Sequence, residues 1–333
     1  MEHWDEQLTV APPASNVAFR AYVAGDTGPT LLLLHGAGQS ALVWSLVAQR
    51  LRGKARVVAF DQRAHGASGG SESDLGAAQL VDDAVGVANQ VRADLGVALD
   101  SPIMLVGHSM GGAIVARAGA SGRIAGLCGV AVVDVVEGTA IAALQHMHAV
   151  LARRPASFLR PGDAVAWTVH SGGVRSTLSA TLSVPSQLVR CAPVADDAST
   201  AWTWRTNLAA TETHWRGWFE GLSATFLACP VAKLLVLAGT DRLDKPLMIA
   251  QMQGKFQLVI VADCGHAVHE EQPDTVAHKL IDFLARQGLC EGTGGGRGGP
   301  SALYPGSRGA AARPGETLVE KLARARAIKR GGR

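Results

Sequence analysis

The apolar run Ile103-Met104-Leu105-Val106 passes without a spacer into Gly107-His108-Ser109-Met110-Gly111, and from there into the small residues Gly112-Ala113. Few folds accommodate that junction. The run is short and uniformly apolar, so it reads as a strand buried on both faces rather than one with a solvent side. Glycine at both ends of the pentapeptide removes side chains where a strand must turn directly into a helix, and permits a tight, strained backbone. Ser109 at the apex would be presented outward, as a hydroxyl must be if a neighbouring base is to activate it. The pattern G-x-S-x-G has little meaning alone, because its residues are common. The strand before it and the helical stretch after it supply that meaning.

Similar apolar runs bounded by turn residues predict strands at 30–35, 55–60, 102–107, 124–133, 232–238 and 256–262. Small and apolar residues at helical spacing predict helices over Ser40–Leu51, Leu75–Leu95, Met110–Ala120 and Pro273–Gln287. Strands alternating with helices imply an α/β fold, a mostly parallel central sheet with helices on both faces. Val17–Val23 is predicted as an added antiparallel edge strand.

The alternation stops between residues 139 and 228, where helical segments follow one another without a strong strand. This predicts a helical cap inserted between a first core part, 1–138, and a second, 229–289. Trp167, Trp202, Trp204, Trp215 and Trp218 all fall in the insertion, and such rings are expected to fill the cap's own small core. Residues 290–333 form a Gly- and Arg-rich tail that cannot bury a core, so disorder is expected there.

With 333 residues and 47% hydrophobic content, the remainder can bury a full core. No apolar run approaches the length of a membrane span, and the acidic start Met-Glu-His-Trp-Asp-Glu does not read as a secretory leader. Five scattered cysteines without C-x-x-C spacing argue against a disulfide framework and against a zinc site. A reducing compartment is expected, the cytoplasm first and the nucleus second. The net charge of +3 is uneven. Nine Lys/Arg against three Glu after residue 290 give the tail +6, which leaves −3 on the body. Without a basic face on the folded body, nucleic acid is not an expected partner.

A serine nucleophile requires a base, and an acid to hold that base in one tautomer. His266 lies in Asp263-Cys264-Gly265-His266, just past the last predicted strand and before the last helix. His269 is its competitor, three residues on. For the acid, Asp134 follows one strand and Asp241 another, and the order Ser, Asp, His permits either. An oxyanion hole requires two backbone N–H groups. Met110, just after the serine, offers one, and Ala37 in His35-Gly36-Ala37-Gly38 offers the other. That glycine loop lacks the Gly-Lys-Ser/Thr and complete G-x-G-x-x-G patterns of phosphate binders. Asp61, Arg63, His65 and Gly66 read as a structural loop near the site.

Longer stretches carry a narrower resemblance. Leu-Leu-His-Gly-Ala-Gly-Gln-Ser-Ala-Leu-Val-Trp (33–44), Pro-Ile-Met-Leu-Val-Gly-His-Ser-Met-Gly-Gly-Ala-Ile (102–114) and Val-Asp-Val-Val-Glu-Gly-Thr-Ala (133–140) resemble the protein phosphatase methylesterases of the α/β-hydrolase superfamily. So do Trp-Arg-Gly-Trp-Phe-Glu-Gly-Leu-Ser (215–223), Ala-Gly-Thr-Asp-Arg-Leu-Asp-Lys (238–245) and Gln-Met-Gln-Gly-Lys-Phe-Gln (251–257), which are not general features of hydrolases. The resemblance covers about residues 15–287.

That family removes the methyl ester from the C-terminal leucine of the protein phosphatase 2A catalytic subunit and binds the phosphatase. Carried over, the resemblance makes Ser109 the nucleophile, His266 the base and Asp134 the acid. It implies no metal and no organic cofactor, and no membrane partner. His35, Gly36, His108, Trp204 and Met252 are the expected substrate-binding positions. Ala37 and Gln39 stand where the family usually has Gly and His, and only Pro193 to Thr200 occupies the place of a long acidic insertion in animal members. Two rival readings are a small-molecule carboxylesterase or lipase of the same fold, and a phosphatase-binding protein with no required turnover.

Overall fold

Three runs of leucine and valine lie side by side at the centre of the molecule, and their alternating side chains build two cores at once. A computed structural model of the chain describes residues 3–191, 201–239 and 243–292, which belong to one compact unit. Its first strands are β1 (Glu6–Val10), β2 (Phe19–Ala24) and β3 (Thr30–Leu34). A 3-10 turn (Ala41–Trp44) leads into α1 (Ser45–Leu51), followed by β4 (Arg56–Phe60), α2 (Ala77–Asp94), β5 (Ile103–His108), α3 (Met110–Ala120) and β6 (Leu127–Val133).

The next segment holds α4 (Glu137–Leu144), α5 (Met147–Ala152), α6 (Pro161–His170) and α7 (Thr177–Ser183). It continues through β7 (Leu188–Arg190), β8 (Trp202–Trp204), α8 (Glu212–Phe219) and α9 (Leu222–Ala228). The chain then returns to the sheet with β9 (Ala232–Leu237), α10 (Lys245–Met252), β10 (Gln257–Ile260), α11 (Val268–Glu271) and α12 (Pro273–Arg286).

The eight-stranded sheet has the order β1-β2-β4-β3-β5-β6-β9-β10. β2 pairs antiparallel with both β1 and β4, and every other pairing is parallel. Leu32, Leu34 and Leu105 face one core, with α2 and α3, whereas Leu31, Leu33, Met104 and Val106 face the other, with Trp44 and α12. Burial on both faces explains why these strands read as continuous apolar runs. Each fully buried Leu of β3 contributes about 1.5–3 kcal/mol of transfer free energy. Helix α12 docks through Val276, Ala277, Leu280, Ile281 and Leu284, the three-and-four spacing of one helical face.

Three expectations require correction. The antiparallel strand near Val17–Val23 is not at the edge, because β1 covers it; β1, with its mixed burial, gave no apolar run to read. The stretch Ser40–Leu51 is a 3-10 turn followed by a short helix rather than one helix. The 139–228 segment contains an antiparallel hairpin, β7 with β8, in which Leu188 pairs with Trp204 and Arg190 with Trp202.

Its tryptophans also divide. Trp167, Trp202 and Trp204 pack on the small cluster around Phe158 and Val184, while Trp215 and Trp218 join the main core. Trp218 Nε1 donates to the Leu75 carbonyl at 2.6 Å, which pins α8 to the segment leading into α2. Asp241, residues 193–200 and the tail from residue 293 lie outside the described residues.

Candidate active site

Order along the sheet reverses at β3, which has β4 on one side and β5 on the other. At such a reversal the loops leaving the two neighbours diverge beyond the carboxyl ends of the strands, where open α/β sheets generally form their ligand crevice. Ala37 leaves the end of β3 and Ser109 the end of β5, so the topology brings both to the crevice rim.

Ser109 has φ 52° and ψ −120°, a conformation that side-chain-bearing residues adopt only when their surroundings impose it. The surroundings do so here. A Cβ on Gly107 would lie 2.2 Å from the Gly111 carbonyl oxygen, and one on Gly111 would lie 2.5 Å from the His35 oxygen and 2.6 Å from that of Leu34. No other residue fits those two positions, and their closeness forces the turn. Ser109 N–H donates to the Val133 carbonyl at 3.0 Å, tying the elbow to β6.

Asp134 sits one residue beyond β6 with φ 51°, a conformation that aspartate tolerates better than most residues. Its N–H donates to Val236 O at 2.7 Å, and its Oδ1 accepts the Ala238 N–H at 2.9 Å. The other oxygen, Oδ2, accepts from His266 Nδ1 at 2.7 Å. A carboxylate has only lone pairs to offer, so Nδ1 carries a proton, and the neutral ring in this tautomer has its lone pair on Nε2. The Asp134 side chain is fully buried while that of His266 is 55% exposed, so the pair joins the core to the solvent-facing crevice. Among the described residues no hydrogen bond joins Ser109 Oγ to His266.

His266 stands at the end of a column of rings. Its imidazole packs on His108 at 4.6 Å between centroids, His108 on His269 at 4.4 Å, and His269 on Trp44 at 4.2 Å. His108 Nε2 donates to the backbone carbonyl of His266 at 2.9 Å, and its other nitrogen faces Gln39 Oε1 at 3.1 Å. Complete burial, with His269 and His266 beside it, holds His108 well below the usual histidine range, against the opposing pull of Asp134 and of the His266 carbonyl. His269 is also wholly buried, and both its ring nitrogens lack hydrogen bonds. Burial pushes it down to about 3, so it serves as a neutral aromatic spacer. Of the two candidate bases, only His266 meets a carboxylate.

The loop after β3 commits its amides one by one. Gly36 N–H donates to Gln39 Oε1 at 2.9 Å, Gly38 N–H to His65 Nε2 at 2.9 Å, and Gln39 N–H to the Gly36 carbonyl at 3.2 Å. Ala37 N–H is left without a partner among the described residues. Met110, first residue of α3, likewise has no intrahelical acceptor for its N–H. Gln39, which stands where a histidine was expected, thus acts as a brace for Gly36. His35 is fully buried, its nitrogens committed to Gly36 O and Gln62 N–H.

Trp204 ends β8, in the 139–228 segment. Its Nε1 donates to Pro155 O, its ring meets Phe158 and Trp167 edge-on, and Arg154 stacks over it at 3.9 Å. Met252 ends α10 and is 81% exposed. The signature segments meet one another: Glu137 accepts the N–H groups of Gly221 and Ser223, and Ser223 Oγ donates to Asp244. Among the described residues no cluster of His, Cys, Asp and Glu is arranged to hold a metal ion, and no helix is long and apolar enough to cross a membrane.

Residues 31–279 match the model of the alpha/beta hydrolase family. Protein phosphatase methylesterase 1 of Rattus norvegicus is 40% identical over 329 residues, covering 87% of this chain and 84% of the relative. A Caenorhabditis elegans relative named probable protein phosphatase methylesterase 1 is 40% identical over 280 residues, covering 82% and 73%. Among solved structures, E-2-(acetamidomethylene)succinate hydrolase superposes with a TM-score of 0.67 at 19% identity, over 84% of this chain and 99% of that one. A Mycobacterium tuberculosis esterase gives 0.63 at 21%, over 85% and 92%. At such identities these two speak for the fold alone.

Fold and family match therefore define an α/β hydrolase, and an esterase within that class. More narrowly, the chain belongs to the protein phosphatase methylesterase family.

Proposed function

We propose that this esterase removes the methyl ester from the C-terminal leucine carboxylate of the protein phosphatase 2A catalytic subunit. The observation that carries the chemistry is the 2.7 Å bond between Asp134 and the outward-facing His266, set beside the Ser109 elbow. The substrate follows from the relatives named methylesterases, which share 40% identity over most of both chains. A base that is 55% exposed suits a chain terminus presented by another protein; sites for small ligands usually bury most of their occupant.

In this reading Ser109 Oγ attacks the ester carbonyl carbon while His266 Nε2 takes its proton, and Asp134 steadies the resulting imidazolium. The developing oxyanion is held by the N–H groups of Ala37 and Met110. Methanol leaves with the proton from His266. Water, activated by the same nitrogen, then attacks the acyl-serine and releases the free carboxylate, a proton and Ser109. No metal or organic cofactor enters these steps. The 139–228 segment acts as a cap that borders the crevice. Cys128, Cys191, Cys229 and Cys290 are free thiols, which suits a reducing cytoplasm or nucleus, where such a phosphatase would be met.

The test is incubation of the carboxymethylated phosphatase with wild type and with Ser109→Ala, following methyl loss, with a small aryl ester in parallel. Demethylation by wild type alone is the expected result. Hydrolysis of small esters without demethylation would overturn the substrate, and binding without turnover of either would overturn the activity.

A further inference from the structure

His65 lies outside the steps above, yet the fold goes to some length to build its position. It follows β4 in a loop locked from several directions. Asp61 accepts the N–H groups of Ala41 at 2.7 Å and Ala67 at 2.9 Å, and the Arg63 guanidinium grips Asp83 through two bonds of 2.8 and 2.7 Å. Gly66 has φ 52°, and a Cβ there would strike the Asp61 carboxylate at 2.2 Å. From the insertion, Thr206 Oγ1 donates to Ala64 O at 2.7 Å, and the Leu208 side chain fills the space where a Cβ on Gly38 would lie. The imidazole these contacts enclose is fully buried.

Its two hydrogen bonds run in opposite senses. Nδ1 lies 2.7 Å from the Arg63 carbonyl, which can only accept, and Nε2 lies 2.9 Å from the Gly38 N–H, which can only donate. One neutral tautomer satisfies both, with the proton on Nδ1. Burial favours the same form and pushes His65 down to about 4.

The consequence falls on Ala37. Peptide units are planar, so fixing one atom of a unit orients the rest of it. On one side of Ala37, the Gly36 carbonyl accepts from His35 Nδ1 at 2.8 Å and Gln39 N–H at 3.2 Å, which turns the Ala37 N–H the opposite way, out of the loop. On the other side, His65 holds the Gly38 N–H and with it the Ala37–Gly38 unit. Without that second anchor Ala37 could rotate, and its amide would lose its aim.

We propose that His65 is a positioning residue for ester hydrolysis: by accepting the Gly38 N–H it holds the loop in the one conformation that points the Ala37 N–H at the reacting oxygen. The proposal rests on the reading of Ala37 as an oxyanion donor. It makes no use of His65 as an acid, base or nucleophile, because the ring never meets the substrate.

Two substitutions separate the ring's bonds. In His65→Gln the side-chain oxygen reaches as far as Nε2 and can still accept from Gly38. In His65→Asn the amide reaches only as far as Nδ1, so the Arg63 contact survives and the Gly38 contact is lost. Removal of a whole oxyanion donor costs about 100- to 1000-fold in kcat, so a misaimed donor should cost about 10- to 100-fold. His65→Asn is expected to lose that much kcat with KM changed by less than about threefold, and His65→Gln to recover most of it.

The decisive readout is the ratio of kcat/KM for an aryl oxygen ester to that for its thionoester, in which sulfur replaces the carbonyl oxygen and hydrogen-bonds weakly. Both rates come from one preparation, so any loss of folded enzyme cancels. Wild type should strongly prefer the oxygen ester, and His65→Asn should show that preference reduced about tenfold or more. An unchanged ratio in His65→Asn, beside a strong wild-type preference, would overturn the role of His65 alone. Equal rates on both esters in wild type would instead overturn the oxyanion reading on which it rests.

Discussion

His108 donates its Nε2 proton to the backbone carbonyl of His266 across 2.9 Å, so the residue beside the elbow serine holds the loop that carries the histidine. The 4.6 Å packing of their rings reinforces the contact. His108→Phe would keep a ring in the stack and remove the donor. It should lower kcat by about 10- to 100-fold by letting His266 drift, since displacements near 1 Å cost about that much. Steady-state kinetics beside a thermal melt checks this, and an unchanged kcat would show that the carbonyl contact does not align the site.

Asp134→Asn retains the shape of the carboxylate but can present an amide to His266, which favours the wrong tautomer. A loss on the order of 10,000-fold in kcat is expected, with little change in folding. Asp241→Asn should lose far less. If the two variants exchange places, the acid is Asp241.

Gly111→Ala places a methyl group 2.5 Å from the His35 oxygen and 2.6 Å from that of Leu34, neither of which can move without breaking the end of β3. Destabilisation of about 3 kcal/mol or more is expected. Gly217→Ala, where nothing lies within 4 Å of the added carbon, is the control. Chemical denaturation of both variants decides the matter, and equal midpoints would refute the crowding argument.

Glu270 is buried beneath α7, with Oε1 accepting from Ser183 Oγ at 2.6 Å and Oε2 without a partner. Burial pushes its pKa up to about 7 from an ordinary value near 4.5. Raised in the folded state, it contributes stability that is fully present below about pH 4.5 and lost as pH rises through 7. Glu270→Gln keeps the acceptor and removes the charge. The variant's gain over wild type should therefore grow between pH 5 and pH 8, to at most about 3 kcal/mol. Melting curves at the two pH values test it; an equal difference at both would show that Glu270 does not titrate in this window.

His35, His65, His108 and His269 are all lowered by burial. A depressed histidine contributes stability that is present above pH 6.5 and lost as pH falls toward its folded value, because the unfolded chain takes up the proton first. Asp61, pushed up to about 6, and Glu270 act in the opposite sense over part of the same range. Four histidines outweigh two carboxylates, so the melting temperature should fall from pH 7 to pH 4.5. A rise over that interval would mean that the imidazoles titrate normally in the folded protein.

The fold was legible wherever burial is two-sided. β3, β5 and α3 have bounds that apolar runs and glycine punctuation reveal, because a strand covered on both faces cannot hide its composition. β1 and the β7–β8 hairpin were not, since their half-exposed residues carry no such run and Trp202 and Trp204 read equally well as helix. Ser109 and His266 stood out by their place after strands. His65 was visible as part of Asp-Gln-Arg-Ala-His-Gly, but nothing local links residue 65 to the amide of residue 38.

Sequence by itself determined the parallel α/β architecture, the strained turn at Ser109 and a short roster of residues able to complete its chemistry. These follow from local rules: which side chains a buried strand admits, and which residues a turn tolerates. Tertiary structure alone showed the bond from His266 to Asp134, made His269 a spacer within a ring column, and left the amide of Ala37 without a partner among the described residues. Each depends on bringing together groups far apart in the chain, to within about 3 Å for a hydrogen bond. Distances of that order are set by the order of strands in the sheet and the loops that leave it.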